Sequence, residues 1–288
     1  MGQHRPNIER VQVAATLRRM REQAQVTREQ AADVLGCTTS KIGDLETGRS
    51  APKPAELESL LNRYGVAGED REDLVEFARA SRRRRPRSPY TAATIPTTHR
   101  RAVDLESQAI SSTFYSGELV PGILQVRPYA EAILRWGNTH SPEEVKRLLE
   151  LRMSRGSELT RTDRLPLRYW CVLGEAALRS NLGGLAVMYE QLERLVAVNL
   201  TLENVVVQVL PLGAGTHSFL GVTVALHRFP PPAPDLLATD NFDRDSFSDR
   251  EAEVALAAHH LDLLKAKALG RDESTDYIKN LLTQMEAS

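Results

Sequence analysis

The feature that most constrains the fold is a set of small and aliphatic residues at fixed spacing in the first fifty positions. They follow one another at offsets of four, six and three residues: Ala32, Gly36, Ile42 and Leu45. Two helices that cross closely need a small residue at the crossing, and a tight turn between them needs a residue that tolerates a left-handed backbone. Aliphatic residues then lock the second helix, and we expect Val34 and Leu35 to add core surface. The pattern predicts two short helices joined by a turn.

Helix start and stop signals agree with this spacing. Apolar periodicity predicts a first helix over Val11–Arg21 and a second over Arg28–Leu35. Thr27, followed three residues later by Gln30, predicts a capping box at the start of the second helix. A third helix is expected to begin at Thr38 or Thr39, to run to Glu46 and to stop at Gly48.

Charge is divided unevenly along the chain. Residues 1–89 carry 17 Lys and Arg against 13 Asp and Glu, whereas the remaining residues carry 20 against 25. A basic front suggests contact with a polyanion, and an acidic remainder suggests a different role. The arginine-rich stretch 81–89, which also holds two prolines, predicts a linker that serves as a solvated hinge, as a phosphate contact beside a bound site, or as both.

The remaining bulk properties exclude several classes of protein. The two cysteines, Cys37 and Cys171, are far apart, which argues against a disulfide framework and for a reducing compartment. The first ten residues lack the apolar stretch of a signal peptide, and no apolar run approaches the roughly 20 residues of a membrane helix. We therefore expect a cytoplasmic protein with no membrane contact, no metal and no cofactor.

The N-terminal motifs resemble a known family of regulators. The segments 27–32, 35–36, 40–42 and 45–49 are similar to the Cro and phage-repressor family, also called xenobiotic-response-element regulators, over about residues 8–80. The resemblance implies an all-α five-helix helix-turn-helix domain, with supporting helices near Pro54–Tyr64 and Glu69–Ala80. It also implies a set of DNA-contacting residues: Arg28, Thr38, Thr39, Ser40, Lys41 and Arg49. Thr38 to Lys41 would face bases, Arg28 would reach phosphate or base, and Arg49 would lie on backbone phosphate.

The pattern of the second half predicts an α+β domain. Helices are expected over residues 102–113, 129–136, 141–160, 184–199, 248–269 and 273–285. Strands are expected over residues 166–173, 204–210, 219–229 and 235–239. The resulting expectation is a small, largely antiparallel sheet with helices around it. The predicted domains are 1–80 for DNA binding, 81–100 for the linker and 101–288 for regulation or interaction.

A second resemblance covers about residues 101–282. The motifs 119–125, 152–155, 175–178 and 213–217 are similar to antitoxin-like bacterial transcriptional regulators, whose genes often neighbour a small partner protein. Five polar positions in this half are candidates for an effector pocket: Glu106, Arg152, Arg155, Glu175 and His217. Charged residues beside apolar ones also form ordinary surface salt bridges, and that alternative stays open.

Three functions are compatible with these patterns. The first is a sequence-specific DNA-binding transcriptional regulator, controlled through its C-terminal domain by a partner protein, by dimerisation or by a ligand. The second is an antitoxin-like protein that neutralises a small partner. The third is an enzyme or small-molecule carrier with an appended DNA-binding head. The sequence has no phosphate-binding loop, nucleophile elbow or zinc-protease motif, so we expect no enzyme. The expected partners are double-stranded DNA, a second copy of the chain, a small protein and a small-molecule effector.

Overall fold

The computed structural model describes residues 8–68, 71–72, 74–75, 78–79, 103, 105–230, 233–240 and 245–287. The predicted linker, 81–100, lies outside the described residues. The chain divides into two compact units, the first made of residues 1–88 and 230–234 and the second of residues 89–229 and 235–288. No helix in the described ranges has both the length and the apolar character needed to cross a membrane.

The first unit is helical. Its helices are α1 (Ile8–Gln23), α2 (Arg28–Leu35), α3 (Thr39–Glu46) and α4 (Pro54–Tyr64). The predicted bounds of α2, α3 and α4 are confirmed. In the region of the predicted fifth helix, residues 71–72, 74–75 and 78–79 are helical, and the others lie outside the described part of the chain.

Local chemistry accounts for the tight connection between α2 and α3. The Thr27 hydroxyl accepts a hydrogen bond from the Gln30 backbone N–H at 3.2 Å, and the Gln30 side chain accepts one from the Thr27 backbone N–H at 3.0 Å. This confirms the predicted capping box. Gly36 ends α2 with a φ of 58°, the left-handed conformation that the turn requires. The chain can therefore reverse and enter α3 within three residues.

The core of the first unit holds the residues of the fixed spacing. Ala32, Ile42 and Leu45 are all buried, and they pack with apolar residues of α1 and α4. Leu35 is partly buried against the same cluster, as predicted. The prediction for Val34 is wrong, because 39% of that residue is exposed. Val34 lies on the solvent face of α2, one position before the residue that packs.

The second unit is built on a mixed sheet. Its described strands are β1 (Ser111–Ser116), β2 (Arg168–Gly174), β3 (Val205–Leu210), β4 (Thr223–Arg228), β5 (Leu236–Asp240) and β6 (Asp245–Ser248). Within the described residues they form a six-stranded sheet in the order β3-β2-β1-β4-β5-β6. β1, β2 and β3 pair in parallel, and β4, β5 and β6 continue the sheet antiparallel from β1.

The α+β class of this half is confirmed, but the prediction of a small, largely antiparallel sheet is wrong. The error comes from β1, which the pattern assigned to the end of a helix over 102–113. Helical residues stop at 108, and the polar stretch Ser111–Ser116 forms the central strand. Such a stretch shows no apolar alternation, and its burial comes from the strands on either side of it. The sequence pattern also missed β6 and began the third predicted strand four residues early.

Helices cover the sheet and its β3 edge. They are α5 (Arg127–Arg135), α6 (Pro142–Arg155), α7 (Glu175–Arg179), α8 (Leu185–Thr201), α9 (Glu251–Lys267) and α10 (Arg271–Glu286). Leu261 and Leu264 of α9 pack on one face of the sheet, against a cluster that includes Tyr115 and Val224. Side chains close the outer edge of β3: Asn199 bonds the backbone of Val207, and Ser274 accepts the Val209 N–H.

Candidate nucleic-acid interface and polar clusters

The start of α3 presents three hydroxyl side chains to solvent. Thr38, Thr39 and Ser40 are all exposed. The Thr38 hydroxyl accepts the Lys41 backbone N–H at 3.3 Å, which makes Thr38 the N-cap of α3. Because that contact uses only an acceptor lone pair, the Thr38 O–H remains a donor for a ligand. The three hydroxyls and the positive end of the helix dipole together form a surface that can receive anions and hydrogen-bond acceptors.

Two cationic residues of the predicted DNA-contacting set, Lys41 and Arg49, lie in α3 and shortly after its end. Lys41 is half-buried, and its Nζ donates to the Ser50 hydroxyl at 3.5 Å. Arg49 follows the end of α3, with 78% of its side chain exposed and an ion pair to Asp44 at 3.4 Å. An exposed ion pair of this kind is weak and screened by salt, so the Arg49 guanidinium can exchange Asp44 for a phosphate.

Arg28 at the start of α2 is tied to α3 through a buried carboxylate. Its Nε donates to Glu46 Oε2 at 2.9 Å, and 44% of the Arg28 side chain is exposed. The Glu46 side chain is only 3% exposed, and its other oxygen accepts from Arg21 of α1 at 2.5 Å. The hydrogen bond to Glu46 raises the pKa of Arg21, so that guanidinium stays charged. Glu46 thus joins α1, α2 and α3 and fixes where Arg28 leaves the surface, a role that sequence reasoning missed.

In the second unit, three of the five candidate pocket residues come together. Arg155 donates from Nε and from its terminal nitrogen to the two oxygens of Glu106, each at 2.7 Å. The Glu106 side chain is 2% exposed and that of Arg155 is 13% exposed. The guanidinium lies so close to Gly122 that a β-carbon at this position would collide with it. This bidentate geometry satisfies both partners and explains why residue 122 has no side chain.

Arg152 lies one turn before Arg155 and holds the loop that follows β1. It donates to Gln125 Oε1 at 3.3 Å, and the Gln125 amide donates to the Val120 carbonyl at 2.7 Å. Burial, together with the neighbouring charge of Arg155, lowers the pKa of Arg152 to about 10. Both arginines therefore serve the conformation of the segment 120–126.

A row of polar side chains crosses the sheet at the same place. Ser112 of β1 pairs with Tyr169 of β2 on one side and with His227 of β4 on the other. The Ser112 hydroxyl and His227 Nδ1 are 2.8 Å apart, and all three residues are buried. Burial, with a smaller effect from the charge of Arg155, lowers the pKa of His227 to about 4, so its ring is neutral. Sequence reasoning missed this row because it depends on the pairing of strands far apart in the chain.

The Tyr169 hydroxyl is exceptional among the described residues. It is the one fully buried side-chain polar atom there that has no hydrogen-bond partner. Burial raises the pKa of Tyr169 well above its usual value, so the phenol keeps its proton. An unpaired buried hydroxyl costs about 1–3 kcal/mol, and such a group marks a position where a small polar molecule could be held.

Glu175 and His217 lie elsewhere, at the carboxyl ends of β2 and β1. Glu175 begins α7 directly after β2; it accepts the Leu212 backbone N–H at 2.9 Å and pairs with Arg179. His217 Nε2 lies 3.2 Å from the Tyr115 hydroxyl near the end of β1. Within the described residues, neither side chain forms a hydrogen bond or an ion pair with Glu106 or Arg155. The five candidates therefore do not form one site.

Comparison with known families agrees with the division into two parts. The model of a helix-turn-helix domain matches residues 12–74, so the first unit defines this chain as a helix-turn-helix protein. A second family model, described as a domain of unknown function (DUF5753), matches residues 99–280. Because that match covers more than half of the chain, the protein belongs to the DUF5753 family. Neither the curated proteins nor the solved structures contain a match to it.

Proposed function

We propose that this chain is a sequence-specific DNA-binding transcriptional regulator that reads the major groove with α3. The observation that carries the proposal is the exposed row Thr38, Thr39 and Ser40 at the start of a helix whose opposite face is locked by Ile42 and Leu45. A recognition helix of this type contacts base edges with its N-terminal residues, while the preceding helix contacts the backbone. The helix-turn-helix match over residues 12–74 supports the same assignment.

The described side chains divide into base-reading and phosphate-binding groups. Thr39, Ser40 and Lys41 are assigned to base edges, and the free O–H of Thr38 to an acceptor at the groove edge. Arg28 and Arg49 are assigned to phosphates on either side of the groove, since both are exposed and carry a fixed positive charge. We also propose that the first unit is of the Cro and phage-repressor type and that the protein acts in the cytoplasm, where DNA is accessible.

The second unit is proposed to regulate DNA binding, without catalysis, through dimerisation, a partner protein or a ligand. Among the residues with chemistry, Glu106 and Arg155 saturate one another, and the neutral ring of His227 is bonded to Ser112 in the core. This arrangement favours a structural cluster over a reactive one. The antitoxin-like alternative is favoured by the acidic balance after residue 89, 20 basic against 25 acidic residues, which suits a small basic partner.

Fluorescence anisotropy tests the DNA assignment. The full chain is titrated against DNA from its own promoter and against a scrambled duplex over a salt series. We expect tighter binding to the promoter and a steep loss of affinity with salt, because phosphate contacts release counterions. Equal binding to both duplexes would contradict sequence-specific recognition.

Substitutions then locate the contact surface. Thr39→Ala and Lys41→Ala should each cost about 1–3 kcal/mol on the promoter and relax preference at particular base pairs. Arg49→Ala should weaken binding to all sequences alike and reduce the salt slope. Thr283→Ala, an exposed threonine on α10, is the matched control and should bind as the unaltered chain does. Unchanged promoter binding by Thr39→Ala would overturn the assignment of α3 as the reading helix.

A further inference from the structure

Helix α9 is apolar on two opposite sides. Its inner side packs on the sheet through Ala257, Leu261 and Leu264. Its outer side carries five residues that are all exposed: Ala252, Leu256, His259, Leu263 and Ala266. Leu256 is 59% exposed and Leu263 is 51% exposed. These five residues are called the outer seam below.

The spacing of the outer seam is that of a helix–helix interface. Its positions follow one another at intervals of four, three, four and three residues, which keeps them on one side of the helix along its whole length. A helix that only covers a sheet needs one apolar side, and its solvent side is normally polar. The outer seam is therefore a surface shaped to pack against another helix.

The order of side chains identifies the other helix. Read in either direction, the outer seam is Ala, Leu, His, Leu, Ala, with His259 at its centre. A surface of this kind is complementary to itself when two copies meet antiparallel, because each small end then lies opposite the other small end and each leucine beside a leucine. Closed dimers use such isologous contacts, in which the same patch is presented by both copies.

We propose that the outer seam of α9 is a homodimer interface, in which a second copy of this chain packs its α9 antiparallel across a two-fold axis at His259. Charges beside the seam agree with this direction. Glu253 near the start of α9 pairs with the exposed Arg250 at 2.8 Å, Lys267 at its end donates to the carbonyl of the exposed Thr216 at 2.8 Å, and both residues are exposed on the same flank. Antiparallel pairing about His259 brings Glu253 of one copy within about two residues of the level of Lys267 of the other, whereas parallel pairing in register sets like charges side by side.

The size of the interface sets its strength. A helix of 17 residues is about 25 Å long. The surface area that two such helices bury against each other is near or below about 1,200 Å², the lower limit for stable interfaces. The dimer is accordingly reversible in the absence of DNA. Here the inference rests on the proposed function: two linked helix-turn-helix units bind paired half-sites with far higher affinity than one unit binds a single half-site.

Sedimentation equilibrium of the full chain tests self-association directly. At about 100 μM, a range in which weak specific interfaces associate, we expect a mass approaching twice the 32.0 kDa of one chain. The variant L256E/L263E places four carboxylates in the interface and should be monomeric, with at least a tenfold weaker association. The control L185E/L200E alters two leucines of α8 that are 60% and 64% exposed, and should self-associate normally. A monomeric unaltered chain, or a dimeric L256E/L263E variant with native circular dichroism, would overturn the proposal.

Disulfide trapping tests the antiparallel direction. Ala252→Cys and Ala266→Cys are made separately in a Cys37→Ser background, because Cys37 is half-buried and could compete, while Cys171 is buried. Mixing the two proteins under oxidation should yield mainly the mixed dimer. If each variant instead crosslinks mainly with itself, the pairing is parallel, and the proposed arrangement is wrong.

These tests are independent of DNA binding. If α3 does not bind DNA, the mass and the crosslinks are unaffected. If α3 binds DNA but the interface is absent, L256E/L263E will match the unaltered chain in mass and in affinity for paired half-sites. With both proposals correct, L256E/L263E loses at least tenfold in affinity for paired half-sites and keeps its affinity for a single half-site.

Discussion

In the described part of each unit a glutamate is buried against arginine, and the two sites differ in their access to solvent. In the first unit, Glu46 bonds both Arg21 and Arg28, and Arg28 is 44% exposed. In the second unit, Glu106 takes both of its strong hydrogen bonds from Arg155, and both side chains are enclosed. We therefore expect a buried carboxylate with an exposed arginine to position that arginine for a ligand, and one whose arginine is enclosed to stabilise the core.

The largest expected effect is on the enclosed pair. Arg155→Ala leaves the Glu106 carboxylate buried without a partner, and we expect it to lower the free energy of unfolding by about 3–5 kcal/mol. Both tryptophans of the chain, Trp136 and Trp170, belong to the second unit, so denaturation followed by their fluorescence reports this unit. Arg127→Ala, from a pair with Glu150 that is about half exposed on both sides, should cost less than about 1 kcal/mol. Similar losses for the two variants would show that enclosure does not matter.

His227 should make the second unit sensitive to acid. Its pKa is lowered to about 4 in the folded protein, against about 6.5 in an unfolded chain. Below about pH 6.5 the unfolded chain takes up a proton that the folded protein does not, so the free energy of unfolding decreases as pH falls. At pH 4 this loss of stability is on the order of 3 kcal/mol, and above about pH 6.5 it is absent. His227→Gln should remove this part of the pH dependence, measured by tryptophan fluorescence during denaturation at several pH values. His140→Gln is the control, and an equal flattening of both pH profiles would contradict the assignment.

The shared carboxylate should affect stability less and function more. Glu46→Gln weakens two charge-assisted hydrogen bonds, and we expect a loss of about 2 kcal/mol in the first unit. Arg28 is 44% exposed and can partly compensate by reaching solvent, which keeps this loss below that of Arg155→Ala. Amide hydrogen exchange in α1–α3 measures the stability, because the first unit has no tryptophan.

DNA affinity separates the two roles of this site. Arg28→Ala should change stability by less than about 1 kcal/mol, since its pair is partly exposed, yet weaken DNA binding at low salt. Glu46→Gln should weaken DNA binding as well, because it releases Arg28 from its position. If Arg28→Ala binds DNA normally, the pair in the first unit is structural, and the contrast between the two units disappears.

The smallest expected effect concerns two buried tyrosines. Tyr169→Phe removes a hydroxyl that has no partner in the described residues, so stability should stay constant or rise by up to about 1 kcal/mol. Tyr129→Phe removes the acceptor of the Val120 N–H, 3.2 Å away, and should cost about 1 kcal/mol. Tryptophan fluorescence during denaturation compares them. An equal loss for both would show that the Tyr169 hydroxyl is hydrogen-bonded in solution and would contradict this prediction.

The features that could be predicted from the sequence depend on interactions between residues that are close together along the chain. The bounds of α2 and α3 were predictable because their caps and apolar periodicity lie within a few neighbouring residues, whereas those of α4 came from the family resemblance. Polar motifs proposed one pocket for five residues, but the structure places Glu175 and His217 on partners other than those of Glu106, Arg152 and Arg155. β1 was not predicted, because its polar sequence is buried by strands that lie far along the chain. The row through Ser112, Tyr169 and His227 could not be predicted before β1 and its partners were placed.

The central position of β1 also determines when the sheet can form during translation. Ser111 pairs with Arg168 on one side and with Arg228 on the other, the second partner lying 117 positions later in the chain. At translation rates of about 5–20 residues per second, this partner leaves the ribosome roughly 6–23 seconds after β1. The helices of the first unit close through contacts such as Arg21 with Glu46, only 25 positions apart. We therefore expect the helix-turn-helix unit of a nascent chain to fold before β4 has been synthesised and can pair with β1.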